Sequence, residues 1–237
     1  VLSLLLLITS CSSGPASGND VEAAQKKPFD TQHFLKYDPK KADKQIDAFM
    51  KHLHQVSGFN GNVLVAKKGK IVYENSFGWA NYPNMDSLKI DSQFELASIS
   101  KTMTATAILQ LMERGKLKLN QDVRDFYPNF PYEGVTIRML LTHRSGLPNY
   151  VYSIDDIFRK EHRDQKKGVT NAQMMDLLAQ YKPPRYNAPD KSYHYNNSNF
   201  MVLGSIIEKV AHMPYAQYMM NNVFKPAGMA HTNVYSK

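Results

Sequence analysis

Ser98 and Lys101 stand three residues apart in "FELASISKTMTATAILQLMERGKLKLNQDV". On a helix that offset puts both side chains on one face, within reach of each other. The unpaired amides and positive end of the helix dipole would favour a developing Ser98 alkoxide. A lysine amine in a dry pocket loses its charge and accepts a proton. The chemistry would be nucleophilic attack by a serine whose base sits one helical turn away. A serine three before a lysine is nevertheless expected about once by chance in a chain this rich in lysine. The spacing by itself equally describes a Ser98 that caps the helix and a Lys101 that points to water.

His143 in "LLTHRSGL" suggests a Ser–His pair, which only geometry can establish. Gly146 and Pro148 mark a turn there. No histidine or acidic cluster has metal-ligand spacing, so neither a metal nor another cofactor is expected.

The elements that must position these residues begin with Asp38-Pro39, which reads as a helix start with Asp38 as cap. Ile46, Phe49, Met50, Leu53 and Val56 then share one face, and Gly58 ends the helix. "GNVLVAKKGKIVYENSFGWAN" has two β-branched and aromatic runs around Lys68-Gly69, the signature of a hairpin. From Ser98 to Arg114 apolar residues occur on nearly every side (Ile99, Met103, Ala105, Ala107, Ile108, Leu109, Leu111, Met112). This predicts a helix buried inside the domain, stopped by Gly115. The remainder reads as helical in "VTIRMLLTH", "TNAQMMDLLAQY" with a Thr170/Gln173 capping box, "SNFMVLGSIIEKVAH" and "PYAQYMMNNVF". An isolated hairpin is barely stable, so further partner strands are expected and are absent from the pattern.

At 237 residues and 43% apolar composition the chain can bury a proper core. The formal charge of +8 could favour anionic headgroups or an acidic envelope polymer. The lysines come as scattered pairs (Lys26-Lys27, Lys40-Lys41, Lys67-Lys68, Lys166-Lys167) rather than one stripe interleaved with aromatics, which argues against nucleic acid as a partner.

The first residues, "VLSLLLLITSCSSGPASGND", form an apolar run too short to span a bilayer, followed by small residues and the single cysteine, Cys11. Ile8-Thr9-Ser10-Cys11 resembles a bacterial lipobox. That resemblance implies a signal segment over 1–11, a lipid anchor at Cys11, and export to the periplasmic or surface side of the bacterial envelope. Residues 12–28 carry almost no large apolar side chains and read as a mobile tether. The folded domain is expected over 29–237. Val1 stands where an initiator methionine and a basic segment would precede such a signal, so the N-terminus reads as clipped.

Four blocks, "FELASISKTMTATAILQLMERGKLKLNQDV", "IRMLLTHRSGLPNY", "YHYNNSNFMVLGSIIE" and "VFKPAGMAHT", resemble in order and wording the serine β-lactamase-like family. That family includes class C β-lactamases, penicillin-binding carboxypeptidases and related esterases. The likeness runs from about Gly58 to Lys237. It implies an α+β fold of the two-domain β-lactamase-like type, an antiparallel sheet flanked by helices plus a helical domain. It also implies that Ser98 of S-x-x-K is the acylated nucleophile and that Lys101 assists proton transfer. Tyr195-Asn196-Asn197 matches the family's Y-x-N element just ahead of a helix beginning near Ser198. Tyr195 would be general base or acid, and Asn197 would hold the substrate's amide carbonyl or Lys101. A phenol with a pKa near 10 needs a nearby cation to act as a base at neutral pH, so Tyr195 and Lys101 are expected to work as a unit. The family uses the His143 segment structurally, as a turn packed near the site. The expected substrates are lactams, D-amino-acid peptides of the peptidoglycan type, or esters.

Two departures accompany the likeness. Asn196 stands where a serine or alanine is usual, with no requirement attached to it. The family's later Lys/His-Thr/Ser-Gly triplet has no counterpart after Tyr195. Lys67-Lys68-Gly69 belongs to the hairpin turn and Lys166-Lys167-Gly168 precedes the tyrosine. The sequence is therefore read as partial, lacking the C-terminal strands. The competing readings are a catalytically inactive cell-wall or peptide-binding module and a degenerate fragment of the same fold.

Overall fold

A computed structural model of the chain describes residues 40–160 and 168–235. The lipobox with Cys11, the tether, and the Asp38-Pro39 helix start lie outside these residues. The described residues belong to two compact units that meet in sequence between Ser92 and Gln93.

The first unit holds helix α1 (Lys40–Ser57) and strands β1 (Gly61–Lys67), β2 (Lys70–Phe77), β3 (Trp79–Asn81) and β4 (Asp86–Ser87). Strands β1 and β2 pair antiparallel across the expected hairpin, with a register shift between Val65 and Ala66. Lys68 and Gly69, at φ 51° and 74°, form the two-residue turn. Positive φ at both central positions matches the twist of the flanking strands. Helix α1 ends at Gly58, φ 66°, and packs on β2. Met50, Tyr73 and Phe77 form a small core, with Ile46, Leu53, Phe59, Val63 and Val65 against it. Phe49 and Val56 were expected on the buried face but are 59% and 64% exposed. The stripe that contacts the strands is the narrower Ile46–Met50–Leu53 row, spaced i, i+4, i+7.

The second unit is helical. A short 3-10 turn, Ala97–Ile99, leads into α2 (Ser100–Glu113); then follow a 3-10 turn Val123–Asp125, α3 (Ile137–Leu141), α4 (Tyr150–Lys160), α5 (Asn171–Tyr181), α6 (Asn197–Ala211), α7 (Tyr215–Met219) and one π-type turn, Met220–Phe224. Helix α6 is the axis of this unit and contacts α2, α3, α4, α5 and α7. Its Val202, Leu203, Ile206 and Ile207 are fully buried, among Ile108 and Leu111 of α2, Ile137 and Leu140 of α3 and Leu178 of α5. Burying each such aliphatic side chain contributes roughly 1.5–3 kcal/mol. Thr104 Oγ1 and Tyr215 Oη meet at 2.6 Å and pin α2 to α7.

Helix α2 is not buried on all sides. Thr104, Ala107, Ile108 and Leu111 are inside, while Ile99 and Leu109 are 63% and 42% exposed. The helix packs within its unit along the side facing α6. The Thr170/Gln173 capping box forms as expected, with Gln173 N–H donating to Thr170 Oγ1 and Thr170 N–H donating to Gln173 Oε1. Helix α4 has no counterpart among the helices expected from the sequence. Its Ile154 and Phe158, at i and i+4, pack with Met174 and Leu177 of α5 in a satellite core.

The architecture is α+β: antiparallel strand pairs, then a helical body. No helix among the described residues is long and apolar enough to cross a membrane.

Candidate active site

Ser98 lies in the 3-10 turn ahead of α2 rather than in the helix itself. The residue before it, Ala97, has φ 44°, a left-handed conformation that costs a Cβ-bearing residue roughly 1–2 kcal/mol. Ser98, next in the chain, is exposed. Its hydroxyl does not cap α2, whose first turn has no side-chain cap.

Ser98 Oγ instead meets two side chains. Lys101 Nζ, in the first turn of α2, donates to it at 3.1 Å. Tyr195 Oη lies 2.6 Å away, where either oxygen could donate. Lys101 Nζ also sits 5.2 Å from the centre of the Tyr195 ring and 5.7 Å from that of Phe200. The Tyr195 phenol is held below the ordinary tyrosine value, first by the Lys101 ammonium beside it and then by its hydrogen bond with Ser98. Both contacts favour the phenolate, the form able to take a proton from Ser98.

Asn197, the first residue of α6, follows two positions after Tyr195 and is half-buried.

Tyr195 is 44% exposed, yet its backbone is tightly held. The segment 186–199 is bonded to the turn 143–148 at every stage. Tyr186 N–H donates to the Gly146 carbonyl at 2.9 Å, Asp190 N–H to that of Arg144 at 2.8 Å, and His194 N–H to that of His143 at 2.8 Å. Gly146, φ 68°, allows the closest approach, since a Cβ there would lie 2.1 Å from the Asn187 carbonyl oxygen. Ser198 Oγ accepts from Tyr150 N–H at 2.8 Å and donates to the Pro148 carbonyl at 2.6 Å.

No requirement on Asn196 is expected from the sequence. The structure shows it 1% exposed and engaged in three hydrogen bonds. Its side-chain oxygen caps α6 on Ser198 N–H, its side-chain amide donates to the Leu147 carbonyl, and its N–H donates to His143 Nδ1. An asparagine immediately before a helical run is a cap signal, which could have identified it. His143 sits in the turn, as expected, at φ 56°. Its ring centre lies 4.5 Å from that of Tyr195, and burial, first, then the Lys101 charge hold its pKa below the ordinary histidine value. Among the described residues no three His, Cys, Asp or Glu side chains gather as metal ligands.

The family model described as beta-lactamase matches residues 42–237. The chain is 39% identical over 194 residues to a penicillin-binding protein of Bacillus subtilis (strain 168), covering 82% of this chain and 42% of that protein. It is 32% identical over 199 residues to protein flp of Staphylococcus aureus (strain MRSA252), covering 81% of this chain and 38% of the relative. It thus spans about two fifths of the length of these curated relatives. Among solved structures, a penicillin-binding protein from Bacillus halodurans superposes with a TM-score of 0.68 at 29% identity, over 79% of this chain and 56% of that one.

Proposed function

From the premise that this chain belongs to the beta-lactamase family, we propose that it is a serine hydrolase that forms an acyl-enzyme on Ser98 with lactams, D-amino-acid peptides or esters. The observation that carries this reading is the single hydroxyl, Ser98 Oγ, approached by both Lys101 Nζ at 3.1 Å and Tyr195 Oη at 2.6 Å. A capping serine would be turned to the helix amides instead.

In the proposed reaction the Ser98 proton passes to the Tyr195 phenolate as Oγ bonds to the substrate carbonyl carbon, and the carbonyl electron pair moves onto oxygen. Backbone amides, that of Ser98 among them, stabilise this oxyanion. Collapse breaks the carbon–nitrogen or carbon–oxygen bond, and the leaving group takes the proton from Tyr195. Water then adds to the ester carbon, gives up a proton to the same phenolate, and Ser98 Oγ leaves with a proton restored. Lys101 keeps the phenolate accessible, and Asn197 binds the substrate's amide carbonyl or Lys101. The names of the penicillin-binding relatives support a lactam as the first probe.

The test is intact-mass spectrometry of the protein after exposure to a penicillin and, separately, to a fluorophosphonate. One covalent adduct, absent in Ser98→Ala, is expected. An unmodified wild type would favour a binding module that keeps the fold without the chemistry, and an adduct that survives Ser98→Ala would remove Ser98 from the role.

We also propose that Cys11 is lipid-modified and anchors the protein to the bacterial envelope, on the lipobox resemblance alone. Palmitate labelling of cells should mark the wild type and not Cys11→Ala; equal labelling would refute the anchor.

A further inference from the structure

His143 is bonded to the residues on both sides of Tyr195. Its carbonyl accepts from His194 N–H at 2.8 Å, and its Nδ1 accepts from Asn196 N–H at 3.2 Å. Its ring centre lies 4.5 Å from that of the intervening tyrosine, with the planes 36° apart. One residue therefore holds Tyr195 before, after and along its side chain.

The direction at Nδ1 is fixed by Asn196, whose backbone N–H can only donate, and the bonds behind the clamp agree with it. A backbone N–H can only donate, so Leu147 N–H donates to Ser145 Oγ at 3.2 Å. Ser145 then has its own proton free to give to Asn199 Oδ1. With that oxygen engaged, the other end of the Asn199 amide is Nδ2, which has only protons to offer, and it lies 2.9 Å from His143 Nδ1. Asn196 N–H meets the same nitrogen by a second route. Nδ1 must therefore present a lone pair, and the proton of the neutral ring belongs on Nε2. Ser145, Asn196 and Asn199 are 1%, 1% and 0% exposed, so water cannot stand in for a lost partner.

We propose that His143 is a positioning residue, whose ring and Nδ1 lone pair together keep the Tyr195 phenol on Ser98 Oγ. Its importance for turnover rests on the proposed role of Tyr195; the clamp itself does not. Lys101, Tyr193, His194 and Tyr195 are the titratable groups facing its ring or lowering its basicity. Burial and the Lys101 charge oppose protonation. A proton on Nδ1 would set donor against donor at both Asn196 and Asn199. Acid would thus loosen the hold on the tyrosine.

The test uses the full chain with labelled histidine and tyrosine. Nitrogen chemical shifts at neutral pH should show His143 as the Nε2–H tautomer; an Nδ1–H tautomer or a charged ring would overturn the proposal. His143→Asn retains a side chain that tolerates φ near 56° but lacks the ring. In this variant the Tyr195 titration is expected to rise toward the ordinary tyrosine value while those of Tyr127 and Tyr215 stay in place, and lactam acylation should fall at least about tenfold. The part of the acid limb that follows His143 protonation should be lost with the histidine, leaving the limb set by Tyr195 itself. An unchanged Tyr195 titration would overturn the clamp, as would a uniform shift of all three tyrosines, which would indicate loss of structure instead. If the wild type itself is not acylated, the proposed function fails, and the tautomer and the Tyr195 titration decide the clamp alone. If His143→Asn does not fold, the wild-type tautomer decides it.

Discussion

Ser98 Oγ and Tyr195 Oη lie 2.6 Å apart, although 97 positions separate them in the chain. Lys101 reaches the same oxygen from only three positions away. The site thus joins a local pair, set by helical spacing, to a distant partner set by the packing of α6 against α2.

Because each partner approaches the same hydroxyl, single substitutions should have unequal effects. Ser98→Ala is expected to abolish acylation. Lys101→Met and Tyr195→Phe should each slow it by roughly 10²–10⁴-fold, the range for a positioned proton-transfer group. Rapid-mixing measurement of adduct formation would check this. Wild-type rates in Tyr195→Phe would mean that the phenol carries no proton in the reaction.

The tyrosines should separate on alkaline titration. Tyr195 is shifted down by Lys101 and Ser98, whereas burial pushes Tyr127 up to about 12 and raises Tyr132, Tyr215 and Tyr218 as well. Near-ultraviolet difference spectra should therefore show a first phenolate below the ordinary range, and that phase should be missing from Tyr195→Phe. A first phase that survives the substitution would assign it elsewhere.

Stability should weaken in mild acid through His143. Its folded pKa lies below the ordinary value of 6.5, so as the pH falls the unfolded chain takes up the proton first. The stabilisation is complete above about 6.5 and is lost as the pH falls through that value toward the folded pKa. Urea denaturation followed between neutral and mildly acidic pH should show a steeper decline for the wild type than for His143→Asn. Parallel curves would show that His143 is not perturbed.

Asn196 offers a stepwise test. Alanine removes the α6 cap and the donor to the Leu147 carbonyl, an expected loss of about 2–4 kcal/mol. Serine can restore the cap alone and should recover about 1 kcal/mol of it. Thermal or urea unfolding of the two variants would measure both steps. Equal stabilities would show that capping contributes nothing there.

Gly146→Ala should be among the most damaging changes outside the site. The new methyl would meet the Asn187 carbonyl oxygen at 2.1 Å, on a backbone at φ 68°. Strain and overpacking together suggest a loss of roughly 2–4 kcal/mol. A loss under about 1 kcal/mol in urea titration would show that the turn relaxes freely.

Much of this arrangement was legible in the sequence where the signal is local. The Lys68-Gly69 hairpin, the Thr170/Gln173 capping box and the Ser98–Lys101 offset each depend on residues a few positions apart, and each appears as read. The α4 helix carries a readable i, i+4 pair, Ile154 and Phe158, yet is not among the expected elements. The exposure of Ile99 and Leu109 was illegible for a different reason: apolar residues all round a helix do not say which side finds a partner. Which of fourteen tyrosines would meet Ser98 came only through the family likeness, since no local pattern encodes a contact across the chain. The roles of Asn196, Asn199 and Ser145 escaped because buried polar networks have no periodicity; their order is set by which groups can donate.

The second and third residues of α6 serve two different recipients. Ser198 holds the start of α4 through Tyr150 and Pro148, and Asn199 completes the network at His143. Successive helical residues differ by about 100° in direction, so these assignments share a single rotational phase. A substitution here alters one connection; an inserted or deleted residue would misdirect both at once. This stretch should therefore tolerate changes of side chain far better than changes of length, however conservative the added residue.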